Sequence, residues 1–222
     1  MMKKAVMTGP KQLEIQDFDK PEPGVGEVLV KIRAVGICTW ERKYFRGVDN
    51  AYPFVGGHEI FASVEKVGPG VAQDLNQGDA VVVASLTRCG ECYFCRRGLD
   101  NMCENVGAES TPGGLWGPGG FSEYLVVRGY EIFRVRDDMD PAVGTLAEPV
   151  ACVTRSVERG ALEVGDSALL LGAGVMGLVH IVLAKMRGVK VLVSEPDAQR
   201  RKKALEMGAD EVIDPGTEDT AS

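Results

Sequence analysis

Apolar and polar positions alternate in short runs through about the first 145 residues: KAVMT (4–8), LEIQDF (13–18), EVLVKIRAVGI (27–37), IFASVEKV (60–67), AVVVAS (80–85) and SEYLVVR (122–128). Runs of this length, rich in β-branched residues and repeating every second position, predict strands with one buried face. PEPGVG (21–26), VGPGV (67–71) and TPGGLWGPGG (111–120) separate them and predict turns. Several short strands punctuated in this way predict a barrel or sandwich.

The period changes near residue 146. In AEPVACVTRSVE (147–158), Pro149 stands near a helix start and Val150, Val153 and Val157 recur at helical spacing. From 167 the pattern runs strand (SALLL), Gly-rich turn, helix (176–187), strand (VKVLVS, 189–194), helix (197–207), Gly208 and strand (EVIDP). That β-α-β-α-β order predicts a parallel, doubly wound sheet. The fold class expected is therefore a β-rich domain over 1–146 followed by an α/β domain over 147–222.

Composition narrows the setting. The chain has 222 residues, 45% of them hydrophobic and 26% charged, enough to bury one large core or two small ones. MMKKAVMTGP lacks the apolar stretch of a secretory signal. The longest apolar run, SALLLGAGVMGLVHIVLA (167–184), is too interrupted for a membrane span. The expectation is a cytoplasmic protein whose thiols stay reduced. A net charge of -7, with no basic block that could track a phosphate backbone, argues against nucleic acid as a partner.

Residues 88–104, RCGECYFCRRGLDNMCE, place Cys89, Cys92, Cys95 and Cys103 at C-x2-C-x2-C-x7-C spacing. Four thiolates so close can close a tetrahedral shell around Zn2+ with no open position, a structural site. Disulfides are disfavoured by the compartment. An iron–sulfur cluster shares the opening C-x2-C-x2-C, but there the fourth cysteine follows after three residues and precedes proline. Here it follows after seven and precedes Glu104. A second set lies upstream: Cys38 at a predicted strand end, and His58-Glu59 in FVGGHEI. Thiol, imidazole and carboxylate together suit zinc with one exchangeable position.

GICTWE, GGHE, VGPGV, the four-cysteine lobe, GGFSEY (119–124), LAEP (146–149) and GAGVMG (172–177) occur in the order found in the zinc-dependent medium-chain dehydrogenases, which the whole chain resembles. The resemblance implies a GroES-like catalytic domain carrying the lobe (89–103), then a Rossmann domain. It implies two zinc ions per chain, one structural and one catalytic. Cys38 and His58 match the catalytic ligands, Glu59 a direct or exchangeable ligand, and Glu148 the third protein ligand. A glutamate at 148 resembles the polyol, threonine and glucose branches. Cys152, on the same predicted helix, is read as core. The acidic residue three after the cysteine is Glu41, expected to orient His58. Trp40 stands where relatives commonly carry the Ser or Thr that relays the substrate proton. Thr39 is expected to face the other side of an extended segment, and Lys43 replaces a frequent histidine. Water, Glu148 or Tyr44 are left as proton carriers. Ala62, in place of a common glycine, is read as packing.

Gly172, Gly174 and Gly177 follow a strand and open a helix, so a pyrophosphate can approach the backbone, beside Val175 and Met176, at the helix N-terminus. Glu195 ends the next strand, where a carboxylate favours NAD over NADP by accepting from the ribose hydroxyls. Arg200 is a further candidate cofactor contact, although the run Arg200-Arg201-Lys202-Lys203 reads first as a solvated helix face. His180 is read as structural. The expected reaction is hydride exchange between NAD(P) and an alcohol or ketone, the alcohol being secondary and polyol- or amino-alcohol-like.

The Rossmann pattern stops after three strands, so the resemblance further implies the N-terminal part of a longer enzyme, with the activity of this length of chain left open. Strand 167–171 is then expected to be an exposed apolar edge. At full length a homodimer or homotetramer is expected. Two rival classes are a non-enzymatic zinc- and nucleotide-binding relic of the fold, and a zinc-ribbon interaction module.

Overall fold

A computed structural model of the chain describes residues 1–85, 88–105 and 115–217. Positions 111–114 of the expected TPGGLWGPGG turn and 218–222 of the C-terminal tail lie outside the described residues. The described chain divides into two compact units, Met1–Glu148 and Pro149–Ser222.

The first unit begins with an antiparallel hairpin, β1 (Met2–Gly9) and β2 (Gln12–Phe18). Next come β3 (Glu27–Val35), helix α1 (Thr39–Arg46), β4 (Glu59–Val67), β5 (Ala80–Ala84), β6 (Tyr124–Arg128) and β7 (Ile132–Arg134). β3 to β7 form one antiparallel sheet in the order β6-β3-β4-β5-β7. Its alternation puts Val28, Val30, Ile60, Ala62, Val64, Val81, Val83, Leu125 and Val127 into one core. At about 1.5–3 kcal/mol for each large aliphatic side chain taken out of water, this face is the unit's main stabilising layer. Ala62 is fully buried in it, as the packing reading requires. Phe61, Ala80 and Val82 pack on the opposite face. The sequence pattern missed α1 and the three-residue β7.

A single helical turn, α2 (Pro141–Gly144), is capped by the Asp140 side chain, which accepts from the backbone of Ala142 and Val143. Helix α3 (Ala147–Arg159) opens beside Glu148 at the end of the first unit. It buries Pro149, Val153 and Val157. Pro149 takes the inward position the periodicity had assigned to Val150, which is 36% exposed. Cys152 is exposed as well, which corrects its reading as core: the helix turns its 149/153/157 stripe inward and leaves 152 off that stripe.

In the second unit β8 (Ser167–Leu171), α4 (Val175–Met186), β9 (Lys190–Ser194), α5 (Ala198–Glu206) and β10 (Glu211–Ile213) follow one another. The three strands are parallel, in the order β10-β9-β8. Val191 and Val193 of the central strand are fully buried against Ile181, Ala184 and Ala204 of the two helices. β8 is an edge of this sheet, with Leu169 49% and Leu171 82% exposed, as expected for that strand. Among the described residues, no helix is long and apolar enough to cross a membrane.

Candidate metal and nucleotide sites

The chain leaves β3 and turns at once into α1, with Cys38 as its extended N-cap residue. Glu41 in the first turn and Lys43 and Arg46 in the last complement the helix dipole, and Gly47 ends the helix in the left-handed conformation. Those were the signals that could have revealed the helix from sequence. Thr39 is therefore helical rather than extended, and the argument that placed its side chain by strand alternation does not apply.

The helix start brings Cys38 and Glu41 together with His58, which immediately precedes β4: one ligand atom from each lies within 4.8 Å of the others. Glu41 is 1% exposed. Its Oε1 accepts from the backbone N–H of Gly57 at 3.0 Å and pairs with His58 Nδ1 at 2.8 Å. A carboxylate only accepts, so the His58 proton sits on Nδ1 and Nε2 presents its lone pair. This is the orienting contact expected of Glu41. Glu41 Oε2 is buried with no partner among the described residues.

A second group overlaps the first at His58: His58, Glu59 and Glu148 also offer atoms within 4.8 Å of one another. Burial pushes the Cys38 thiol and the Glu59 carboxyl up, and the neighbouring carboxylates add to both shifts. The hydrogen bond to Glu41 raises His58 against the opposing effect of burial. Burial also works against the Glu41 carboxylate, but the hydrogen bonds from His58 and Gly57 outweigh it and hold the group below the usual carboxylate range. Three acidic groups thus converge on one imidazole and one thiol. Such a set fits a divalent cation, which would relieve the mutual repulsion of the carboxylates.

Trp40 forms one wall. Its ring meets His58 edge-on at 5.6 Å and packs against Tyr44 and Phe54. Tyr44 is buried, stacks on Phe54 with centroids 3.8 Å apart, and accepts a hydrogen bond from Trp116 Nε1. These contacts give Tyr44 a packing role beside the site. Lys43 is exposed.

In the lobe, Cys89, Cys92, Cys95 and Cys103 bring their sulfurs within 4.8 Å of one another, and none is in a disulfide. Cys89 Sγ lies 3.6 Å from Cys103 Sγ and 4.0 Å from Cys95 Sγ. Tetrahedral zinc with Zn–S bonds of about 2.3 Å needs sulfurs about 3.8 Å apart, so the four thiols fit that ion. Backbone N–H groups of Cys92 and Asn105 donate to Cys89 and Cys103 sulfurs at 3.4 Å. Hydrogen bonds from the Glu91 and Cys92 backbone lower the Cys89 thiol to about 6, whereas desolvation beside the other sulfurs pushes Cys95 up to about 12. Backbone hydrogen bonds lower the Cys92 thiol as well, so Cys89 and Cys92 are biased toward the thiolate a metal takes, whereas Cys95 needs a cation to ionise.

In the second unit Gly172 adopts φ +99 and Gly174 caps α4. A Cβ on Gly177 would lie 2.2 Å from the Gly172 carbonyl oxygen, so only glycine permits this turn. Val175 and Met176 begin the helix, 58% and 44% exposed. Glu195 is 4% exposed, and its two oxygens accept from the backbone N–H groups of Ala173 at 2.8 Å and Asp197 at 2.9 Å. Those bonds hold its carboxyl below the usual range. The residue therefore fixes the glycine turn against the strand end, a role beyond the acceptor position read from sequence. Arg200 is exposed. Arg201 departs from the solvated reading: it donates to the carbonyls of Glu195 and Pro196 and pairs with Asp214 at 2.9 Å. His180 bonds the Met176 carbonyl and Ser156 Oγ, a structural role as expected.

Residues 24–137 match the family described as the alcohol dehydrogenase GroES-like domain. The chain belongs to that family. It is 38% identical over 212 residues to L-threonine 3-dehydrogenase of Pyrococcus horikoshii, a match covering 93% of this chain and 59% of the relative. It is 35% identical over 212 residues to L-galactonate-5-dehydrogenase of Escherichia coli, covering 95% and 61%. A Sinorhizobium meliloti structure described as a zinc-binding dehydrogenase bound to NADP superposes with a TM-score of 0.89 at 32% identity, over 99% of this chain and 63% of that one. These relatives place the chain among the zinc-dependent medium-chain dehydrogenases. The chain spans 59% of the length of the threonine dehydrogenase it matches.

Proposed function

We propose that this medium-chain dehydrogenase chain carries the metal-binding and nucleotide-turn portions of an enzyme that oxidises a polar secondary alcohol with NAD. The observation that carries the reading is that His58 belongs to two overlapping ligand groups, one with Cys38 and Glu41 and one with Glu59 and Glu148, beside a separate four-thiol lobe. In this reading the catalytic and Rossmann domains are 1–146 and 147–222. Cys38, His58, Glu59 and Glu148 hold the catalytic zinc, and Cys89, Cys92, Cys95 and Cys103 the structural one. Zinc at the first set would supply a Lewis acid that lowers the pKa of the substrate hydroxyl, and bound NAD would accept the hydride.

The chain's own groups do the rest. Glu41 fixes the His58 ring and its tautomer. Trp40 walls the site with an apolar ring where a hydroxyl relay is absent, leaving water, Glu148 or Tyr44 to take the substrate proton. Gly172, Gly174, Val175, Met176 and Gly177 form the pyrophosphate turn, with Glu195 and Arg200 toward the adenosine ribose; the carboxylate at 195 favours NAD over NADP. The two relatives named above act at position 3 of threonine and position 5 of galactonate, both secondary hydroxyls, which supports that substrate class. A cytoplasmic setting, a homo-oligomeric state and no nucleic-acid partner belong to the same proposal, supported by free thiols, family resemblance and the charge of -7 respectively.

The test is NADH formation by the zinc-loaded chain, and by a version extended to the relatives' length, with threonine, galactonate and sorbitol. Turnover of one of these by the extended version, lost in Cys38→Ser while NADH still binds, is the expected result. An extended, zinc-loaded protein that binds NADH and turns over none of these or related secondary alcohols would overturn the reading.

A further inference from the structure

Gly36 lies between the end of β3 and Cys38, and its backbone N–H donates to the Glu59 carbonyl at 2.9 Å. Its φ lies outside the left-handed range, so the backbone there is open to any residue. Space is the constraint. A Cβ on Gly36 would stand 1.9 Å from Glu59 Oε2, 2.9 Å from Glu59 Cβ and 3.0 Å from its Cδ. The Glu59 side chain occupies the volume that any other residue at 36 would fill. With the carboxylate folded there, Glu59 shares a ligand cluster with His58 and Glu148.

We propose that Gly36 is a positioning residue for the metal site: its missing side chain is the seat of the Glu59 carboxylate. The inference rests on the proposed metal-binding role of Cys38, His58, Glu59 and Glu148. A methyl group at 36 forces the Glu59 carboxylate to turn out of its seat, while the 2.9 Å approach to Glu59 Cβ, which no side-chain torsion relieves, requires a small shift of the backbone beside it. The carboxylate then leaves the cluster while the thiol and imidazole remain. Gly36 thus acts through the Glu59 side chain, and its effect must vanish where residue 59 has no side chain.

The experiment is a double-mutant cycle on the chain, reading Zn2+ affinity at the second site by chelator competition. Alongside it, the visible spectrum of Co2+ bound there is taken as a difference against Cys38→Ser. Gly36→Ala is expected to weaken Zn2+ about 10–100-fold, the range for losing a group that shapes a metal's ligand set, and to shift the Co2+ bands. In a Glu59→Gly background, which removes the Cβ contact together with the carboxylate, the same substitution is expected to change neither. Retention of the lobe's zinc in every variant reports that the fold is intact. Equal weakening in both backgrounds, no weakening in either, or loss of the lobe's zinc in Gly36→Ala would overturn the inference and leave the proposed function standing. A wild-type chain that binds metal only in the lobe would overturn both.

Discussion

Replacing Cys103 with serine is expected to open the four-cysteine lobe to trypsin, with cleavage after Arg96 and Arg97 under conditions that leave the zinc-loaded wild type whole. The lobe has almost nothing else to hold it. Its regular structure is two three-residue turns, Cys95–Arg97 and Asp100–Met102, each too short to persist alone. Tyr93, Leu99 and Met102 are exposed, and Cys103 is the lobe's buried residue. Arg88 pairs with Asp100, but a surface ion pair contributes about 0–1 kcal/mol. A four-thiolate zinc site supplies about 10–16 kcal/mol of apparent binding free energy that doubles as folding free energy. Losing one of four thiolates therefore removes the dominant contribution. A chelator should reproduce the effect in the wild type, and added zinc should reverse it. Equal digestion rates with and without metal would show that the lobe folds by its own contacts.

The second large effect is expected at Glu41. Glu41→Ala leaves the Gly57 N–H and His58 Nδ1–H without their acceptor inside a buried site, which costs about 2–4 kcal/mol by thermal or denaturant unfolding. It also frees the His58 ring to rotate, and metal affinity should fall about 10–100-fold. Glu41→Gln keeps an amide oxygen where Oε1 stands, so its loss should be smaller on both measures. In the metal-free chain the pair also has a pH signature. Glu41 is lowered in the folded state, so its contribution is present above the ordinary carboxylate pKa and lost as pH falls through the folded value. His58 is raised, so its contribution is present below the ordinary histidine pKa and lost as pH rises through the folded value. The stability deficit of Glu41→Ala should thus be greatest between about pH 4.3 and 6.5, the unperturbed values of the two groups. A deficit that does not vary with pH would mean that Glu41 contributes only by filling space.

The strands were legible because period-two alternation is a direct image of a half-buried sheet; β3, β4, β5 and β6 lie within a few residues of their sequence patterns. The parallel unit was legible for a related reason, since strand and helix periods alternate, with Gly172, Gly188 and Gly208 at three of the changes and Pro196 at the fourth. Helix α1 was not, because its inward stripe is only Trp40 and Tyr44 set among four charges, too short for a period to show, and its further evidence lies in Gly47 and the placement of Glu41 and Arg46. Cys152 was misread because helical period fixes spacing and not which stripe faces inward. Arg201 was absorbed into a basic run although its carbonyl partners are on the chain just before it. The pairing of Glu41 with His58 followed from motif order, whereas its depth of burial did not. The role of Gly36 is written in the β3–β4 register, which no local pattern contains.

The most direct measurement is zinc per chain by elemental analysis, on the wild type and on Cys38→Ser. The proposed function predicts two zinc ions in the wild type and one in the variant, with the lobe's metal retained. One zinc in both would leave only the four-cysteine lobe occupied, and the set around His58 would lose its metal.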